Sequence, residues 1–325
     1  MTVPVFHIGT NEEFESIALE IFREQCKYVK PYHDFINYLG IEAGDIHSTE
    51  DIPFLPVELF KYHSIIDRRK QEQLLFFSSG TTGMERSKHY VAEAAMYETS
   101  FTKGFQQFYG SPSDYCILAL LPSYLERDGS SLVYMADSLI KKSQHGESGF
   151  YLFEYDELIK KLKRLKAEKQ KTLVIGVSFA FLDLANDYEE DLSGIIFMET
   201  GGMKGRGKEI TRRELHEILQ SSFNLSSVHS EYGMTELLSQ AYSSGEGKFY
   251  APPWMKIFIR DSHDPLSILP PGKTGTINVI DLANRHSCSF LATSDIGKLY
   301  KDGSFEVLGR MDASDIRGCN LLVGM

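Results

Sequence analysis

The sequence predicts an α/β protein: mostly parallel sheet covered by helices, with a small antiparallel β subdomain near the C-terminus. Three observations carry this. Between residues 74 and 220, short apolar runs alternate with segments of helical periodicity, and such alternation builds parallel sheets through helical crossovers. After about residue 245 the texture changes to short β-like pieces separated by turns such as Pro270-Pro271-Gly272 and Lys301-Asp302-Gly303. A length of 325 residues, 42% hydrophobic and 24% charged, suits two globular domains and excludes disorder as the main state. The expected division is a core over 1–245 and a β-rich subdomain with a C-terminal tail over 246–325.

The elements follow in order. Thr10 and Glu13 form a capping-box pattern ahead of Phe14, Ile17, Ala18, Ile21 and Phe22 at helical spacing, so a helix spans residues 10–29. A short helix runs from Tyr32 to Leu39 and is closed by Gly40. Residues 51–57 form an extended connector, because Pro53 and Pro56 block a helix. Leu74–Phe77 is a buried strand, a Ser/Gly/Thr loop runs to Gly83, and a long helix is expected through Val91, Ala94, Ala95, Phe101 and Phe105. Tyr115–Leu121 is a strand stopped by Pro122, and Leu132–Ile140 is a helix. The Lys/Arg run from Lys160 to Lys171 reads as the solvated face of a helix rather than a nucleic-acid site. Leu173–Val177 and Ile195–Met198 are strands, and Thr211–Gln220 is a helix with a Thr211/Glu214 capping box. Lys256–Arg260, Thr274–Ile280, Ser289–Thr293 and Phe305–Leu308 supply the antiparallel strands.

Lys plus Arg number 34 against 45 Asp plus Glu, a net charge of −11, so no whole-protein basic field exists for nucleic acid. No apolar run approaches the roughly 20 residues that cross a bilayer, so no membrane span is expected. The N-terminus has no basic and apolar leader pattern. Cys26, Cys116, Cys288 and Cys319 are scattered without a CxxC pair or zinc spacing. Free thiols in a reducing, cytoplasmic compartment are expected.

Several loops suit phosphate chemistry. Ser78-Ser79-Gly80-Thr81-Thr82-Gly83 follows an apolar strand. Glycines there let the backbone approach an anion, and hydroxyls and N–H groups can donate to its oxygens. Lys88 adds a point charge five residues on. The same residues also suit an ordinary Ser/Gly turn. Gly202–Lys208 nearly fits the pattern GxxxxGK[ST], but Glu209 replaces the hydroxyl that would hold Mg²⁺. It reads as a loop rather than a triphosphate cradle. Tyr232-Gly233-Met234-Thr235-Glu236 offers a ring for a base, a hydroxyl for phosphate and a carboxylate for Mg²⁺. Asp295 suits a ribose diol, although alone it reads as a turn residue, and Arg310 suits a phosphate.

Together and in this order, these segments resemble the adenylate-forming superfamily of acyl-CoA synthetases, peptide-synthetase adenylation domains and firefly luciferase. Ser79–Gly83 resembles its phosphate loop, Tyr232–Glu236 its YGxTE motif, Ser294-Asp295-Ile296-Gly297 its ribose-binding segment, and Gly309-Arg310-Met311-Asp312 its hinge motif. The fold implied is the superfamily's N-terminal domain. The resemblance implies contacts of Thr235 with the α-phosphate, Glu236 with Mg²⁺ and Asp295 with the ribose. The superfamily's lysine-bearing C-terminal domain does not follow in this chain, so Lys88 or Arg310 is assigned part of the charge-stabilising role. The ending Arg317-Gly318-Cys319, with Leu121–Arg127 and Gly129–Leu132, is similar to the acyl-protein synthetases of bacterial bioluminescence, the LuxE family. By its residues alone Cys319 reads as an inert thiol near a terminus. The resemblance instead makes it the nucleophile that takes an acyl group from acyl-AMP. It further implies ATP and Mg²⁺ as cofactors, a fatty acid as the carboxylic acid substrate and an acyl reductase as protein partner. An acyl-CoA or carrier-protein ligase, and a weakly catalytic nucleotide-binding subunit, stand as alternatives.

Overall fold

The computed structural model describes residues 4–79, 85–122, 129–201 and 210–311. Along the chain, α1 (Asn11–Tyr28) and α2 (Lys30–Tyr38) precede the short strand β1 (Leu55–Pro56). β2 (Leu74–Phe77), β3 (Lys88–Val91), α3 (Ala94–Tyr109), β4 (Cys116–Leu120), α4 (Ser131–Ser143) and β5 (Gly149–Tyr151) come next. α5 (Tyr155–Ala167), β6 (Thr172–Val177), α6 (Ser178–Asp187), β7 (Ile196–Thr200), α7 (Arg212–Phe223) and β8 (His229–Tyr232) continue the alternation. Then come β9 (Ala241–Ser243), β10 (Lys248–Phe249), β11 (Met255–Arg260), β12 (Ile268–Leu269), β13 (Thr274–Asp281), β14 (Phe290–Leu299) and β15 (Phe305–Arg310).

Two compact units form: Met1–Gln71 with Pro253–Met325, and Glu72–Pro252. The expected boundary at residue 245 lies near the second crossing, whereas residues up to 71 join the C-terminal strands. Local pattern carries no signal for that pairing. It is made by contacts such as β1 lying parallel on β14, Leu55 opposite Leu291. The buried Gln25 side chain adds to it, donating to the carbonyls of Asn284 and Arg285 and accepting from Ser289 N at 3.0–3.2 Å.

In the unit Glu72–Pro252, the main sheet runs β5-β4-β6-β7-β8-β9. It is parallel throughout, except that β9 is antiparallel to β8. β4 and β6 are buried along their whole length, as helices on both faces of a parallel sheet demand. α5 buries Leu158, Ile159, Leu162 and Leu165. Lys163 pairs with Glu190 and Lys166 with Asp191 at 2.7 Å, so the basic run is the outer face of this helix. α7 makes both capping-box bonds between Thr211 and Glu214. α6 has no counterpart in the sequence reading. It starts at the end of β6 without a capping side chain, and Phe181 then packs on Phe197, which stacks on Phe223.

One expected helix is corrected here. Lys88–Val91 is not the start of a long helix but β3, paired antiparallel with β2 from Leu74↔Val91 to Phe77↔Lys88. Its residues alternate between half-buried and buried, a period of two that a helix cannot satisfy. The helix begins only at Ala94. Phe77 N donates to Gly129 O at 2.8 Å. A Cβ on Gly129 would lie 2.6 Å from the Phe77 ring, and Gly129 has φ +77°, so this approach needs glycine.

In the other unit, β15-β14-β13-β11-β12 form an antiparallel sheet with β1 parallel to β14. Both capping-box bonds of α1 form, and Phe22, Tyr32 and Phe290 pack with centroids 5.9–6.1 Å apart. β14 is longer than expected and carries Asp295 inside a ten-residue strand, not in a turn.

Candidate functional site

The β2/β3 hairpin presents the first candidate loop. Ser78 N donates to Ser87 O at 3.1 Å, Ser87 N to Ser78 Oγ at 2.9 Å, and Arg86 Nε to Ser78 O at 2.6 Å. These bonds pin both ends of the loop, with the Arg86 guanidinium 5.0 Å from the Phe77 ring centroid. Ser79 is exposed and Lys88 half-buried on β3. Gly80, Thr81, Thr82 and Gly83 lie outside the described residues.

A residue missed in the sequence reading joins this hairpin to the Tyr232–Glu236 segment. His89 is fully buried, and its Nδ1 lies 2.7 Å from the Thr235 carbonyl oxygen. A carbonyl only accepts, so Nδ1 carries the proton. Tyr232 ends β8, buried, with its ring 6.0 Å from that of Phe249. Gly233 is exposed, Thr235 half-buried, and Glu236 only 6% exposed. The segment leaves the carboxyl end of a parallel strand, the edge at which open α/β sheets bind ligands.

A buried polar centre accompanies it. Glu199 on β7 pairs with Arg212 Nε at 2.8 Å and lies 3.8 Å from His216 Nε2. Burial pushes its carboxyl up, but the His216 hydrogen bond and the Arg212 charge outweigh this and hold it below the ordinary value. Glu231 on β8 accepts a short hydrogen bond from the Thr200 hydroxyl. Burial, reinforced by Glu199, pushes Glu231 up to about 7, with the Thr200 bond opposing. The signal for both was an acid set inside each strand, in Phe197-Met198-Glu199-Thr200 and His229-Ser230-Glu231-Tyr232.

In the unit Met1–Gln71 with Pro253–Met325, the structure brings Asp295 and Arg310 together. They are ladder partners on β14 and β15, with Nε 3.8 Å from Oδ1. The Asp295 side chain is 14% exposed and that of Arg310 is 66% exposed. Asp295 N donates to Thr293 Oγ1 at 3.1 Å, and Ser294 Oγ donates to Glu58 at 2.5 Å.

Cys26, Cys116 and Cys288 are buried free thiols. Burial pushes all three up, Cys26 to about 12. Arg317, Cys319, Asp312, the Gly202–Glu209 loop and residues 123–128 lie outside the described residues. Among the described residues no group of three or more His, Cys, Asp or Glu side chains is gathered for a metal, and no helix is long and apolar enough to cross a membrane.

The fold is the α/β fold of solved acyl-CoA ligases. A structure of 2-hydroxyisobutyryl-CoA ligase in an open conformation, in complex with 2-HIB-AMP and CoA, matches 97% of this chain and 75% of its own, with a TM-score of 0.69 and 10% identity. ATP-bound MatB from Rhodopseudomonas palustris matches 73% of this chain with a TM-score of 0.56 and 18% identity. The chain covers 47% of the length of that MatB. No curated protein matches the chain by sequence. The acyl-protein synthetase family LuxE matches residues 10–324, and the chain belongs to that family.

Proposed function

We propose that the protein activates a fatty acid with ATP as acyl-adenylate, releasing pyrophosphate, and then loads the acyl group onto its own Cys319 for delivery to an acyl reductase. The family match over residues 10–324 carries this reading. A carboxylate is a poor electrophile because its leaving group would be an oxide. A mixed anhydride with AMP removes that obstacle.

Negative charge builds on the phosphorus oxygens during the first step, so donors and cations must face them. The Ser79–Gly83 loop and the Thr235 hydroxyl donate, Lys88 and Arg310 add positive charge, and Asp295 holds the ribose. Glu236 fits Mg²⁺ as a hard oxygen donor, since Mg²⁺ is commonly held by one or two carboxylates plus substrate phosphates. When bound, Mg²⁺ neutralises phosphate charge. Tyr232 walls the site.

In the second step the Cys319 thiolate attacks the acyl carbon, a C–S bond forms, and the C–O bond to AMP breaks. Cysteine suits this because it is strongly nucleophilic and its thioester stays reactive. Arg317, two residues away, favours the thiolate. The state of the other cysteines supports the choice: burial holds all three as neutral thiols.

Intact-mass measurement after incubation with ATP, Mg²⁺ and a panel of acids tests the reading. An acyl adduct on the protein is expected. Acyl-CoA formation in its place, or no product with any acid, would overturn it.

A further inference from the structure

The unit Met1–Gln71 with Pro253–Met325 carries a cavity of about 450 Å³ where α1 meets α2. Arg23 and Lys27 of α1, Lys30 of α2 and Arg68 line it, and Glu42 is the one acid among the described lining residues. Cys26, Ile36, Ile41 and Ala43 supply apolar lining, with Cys26 and Ile36 buried. None of these residues belongs to the segments assigned to the nucleotide. The chain as a whole is acidic, at a net charge of −11, so this group of cations runs against the general balance.

The fold accounts for part of this cluster. Lys27 lies in the last turn of α1, where the helix carbonyls favour a cation. Lys30 is neutralised by Asp34 at 2.5 Å. His33 has both ring nitrogens engaged: Nδ1 donates to Cys26 O at 2.7 Å, and Nε2 accepts from Asn37 Nδ2 at 2.8 Å. Arg23 and Arg68 have no such explanation. Arg23 Nη2 donates to a neutral group, the Ile46 carbonyl, at 3.3 Å. Arg68 N donates to Tyr28 O at 3.0 Å, which sets this residue beside the end of α1. Its guanidinium lies 5.8 Å from the centroid of the Tyr28 ring, and Lys27 Nζ lies 5.1 Å from the same ring. Among the described residues no carboxylate forms an ion pair with Arg23, Lys27 or Arg68.

Three cations without a carboxylate partner, against the one acid Glu42, leave two net positive charges on the cavity wall. That matches a phosphate monoester, which carries close to two negative charges above its second pKa of about 6. A carboxylate would neutralise one cation and leave the others uncompensated. Arginine forks pair with phosphate oxygens through two parallel bonds, and lysine adds a point charge. We propose that this cavity is a binding site for a small phosphate monoester: Arg23, Lys27 and Arg68 hold the phosphate, and the body of the ligand lies on Ile36, Ile41 and Ala43. The assignment does not rest on the function proposed above.

Lysine footprinting on the intact protein tests this: reductive methylation at constant ionic strength, read residue by residue by mass spectrometry. Phenyl phosphate is the probe, with inorganic phosphate and benzoate as its two halves. Phenyl phosphate should slow modification of Lys27, with the exposed Lys141 of α4 as the reference. Because the readout is at Lys27, phosphate held at the nucleotide segments does not register. The concentration giving half protection should be several-fold higher for inorganic phosphate, which lacks the apolar body, and about tenfold higher for benzoate, which has one charge. Arg23→Gln and Arg68→Gln should each raise it about tenfold for phenyl phosphate, as loss of a charge-assisted hydrogen bond predicts. Glu42→Gln removes the acid and should lower it, an effect that misfolding cannot imitate. No protection of Lys27 by phenyl phosphate, equal protection by benzoate or by inorganic phosphate, protection unaltered in both arginine variants, or weaker protection in Glu42→Gln would overturn the proposal.

Discussion

His89 Nδ1 donates to the carbonyl oxygen of Thr235 across 2.7 Å, joining residues 146 positions apart in the chain. The bond ties the hairpin that ends in Ser78 and Ser79 to the segment that carries Thr235 and Glu236. One buried imidazole thus holds the β2/β3 hairpin against the segment that follows β8.

His89→Phe keeps the bulk and removes that donor. Leaving the carbonyl without it should cost about 1–3 kcal/mol of stability. ATP affinity should fall as well, because Thr235 loses its anchor. Urea unfolding and ATP titration read the two effects. Lowered stability with unchanged ATP affinity would confine His89 to the fold.

Asp295→Ala separates structure from binding. Its partner Arg310 is largely exposed, so the ion pair adds no more than about 1 kcal/mol and stability should change little. Nucleotide binding should weaken by about 1.5–3 kcal/mol, the value of a charge-assisted hydrogen bond. Wild-type affinity in this variant would remove Asp295 from the site.

Glu236→Gln should raise the Mg²⁺ concentration needed for pyrophosphate exchange, because the neutral amide is a weaker ligand for a hard cation. A Mg²⁺ titration of the exchange rate checks this. Superimposable titrations would shift the metal role to another residue.

Cys319→Ser should still make acyl-AMP but lose hydroxylamine-sensitive acylation of the protein, since an unactivated hydroxyl is a weak nucleophile at neutral pH. Labelling at the wild-type level would point to a different acceptor. Loss of acyl-AMP as well would give the terminus a role in adenylation.

Glu231 also sets a stability profile. Its carboxyl is raised from the ordinary 4.5 to about 7 in the fold, so between these values the unfolded chain binds fewer protons than the native one. Stability from this group is greatest below about 4.5, falls as pH rises, and levels off above about 7. Glu231→Gln removes the dependence. Its stability relative to the wild type, from denaturant unfolding at pH 5 and pH 8, should therefore be larger at pH 8. A difference independent of pH would mean that Glu231 does not hold its proton in the fold.

The local sequence determined most of the elements and the identity of the candidate segments. The capping boxes at Thr10/Glu13 and Thr211/Glu214, the buried runs of β4 and β6 and the basic face of α5 all follow from spacing. Such signals lie within one turn of helix or one strand, so no distant partner is needed to read them. Tertiary structure decided the rest. It made Lys88–Val91 a strand by supplying β2 as a partner, and set Leu55–Pro56 on β14, far along the chain. It set the buried His89 against the Thr235 carbonyl, and gave the buried Glu199 and Glu231 their partners in Arg212 and Thr200. The physical reason is the same in each case: a hydrogen bond or ion pair gains its strength from burial, and burial is a property of the whole fold rather than of neighbouring residues.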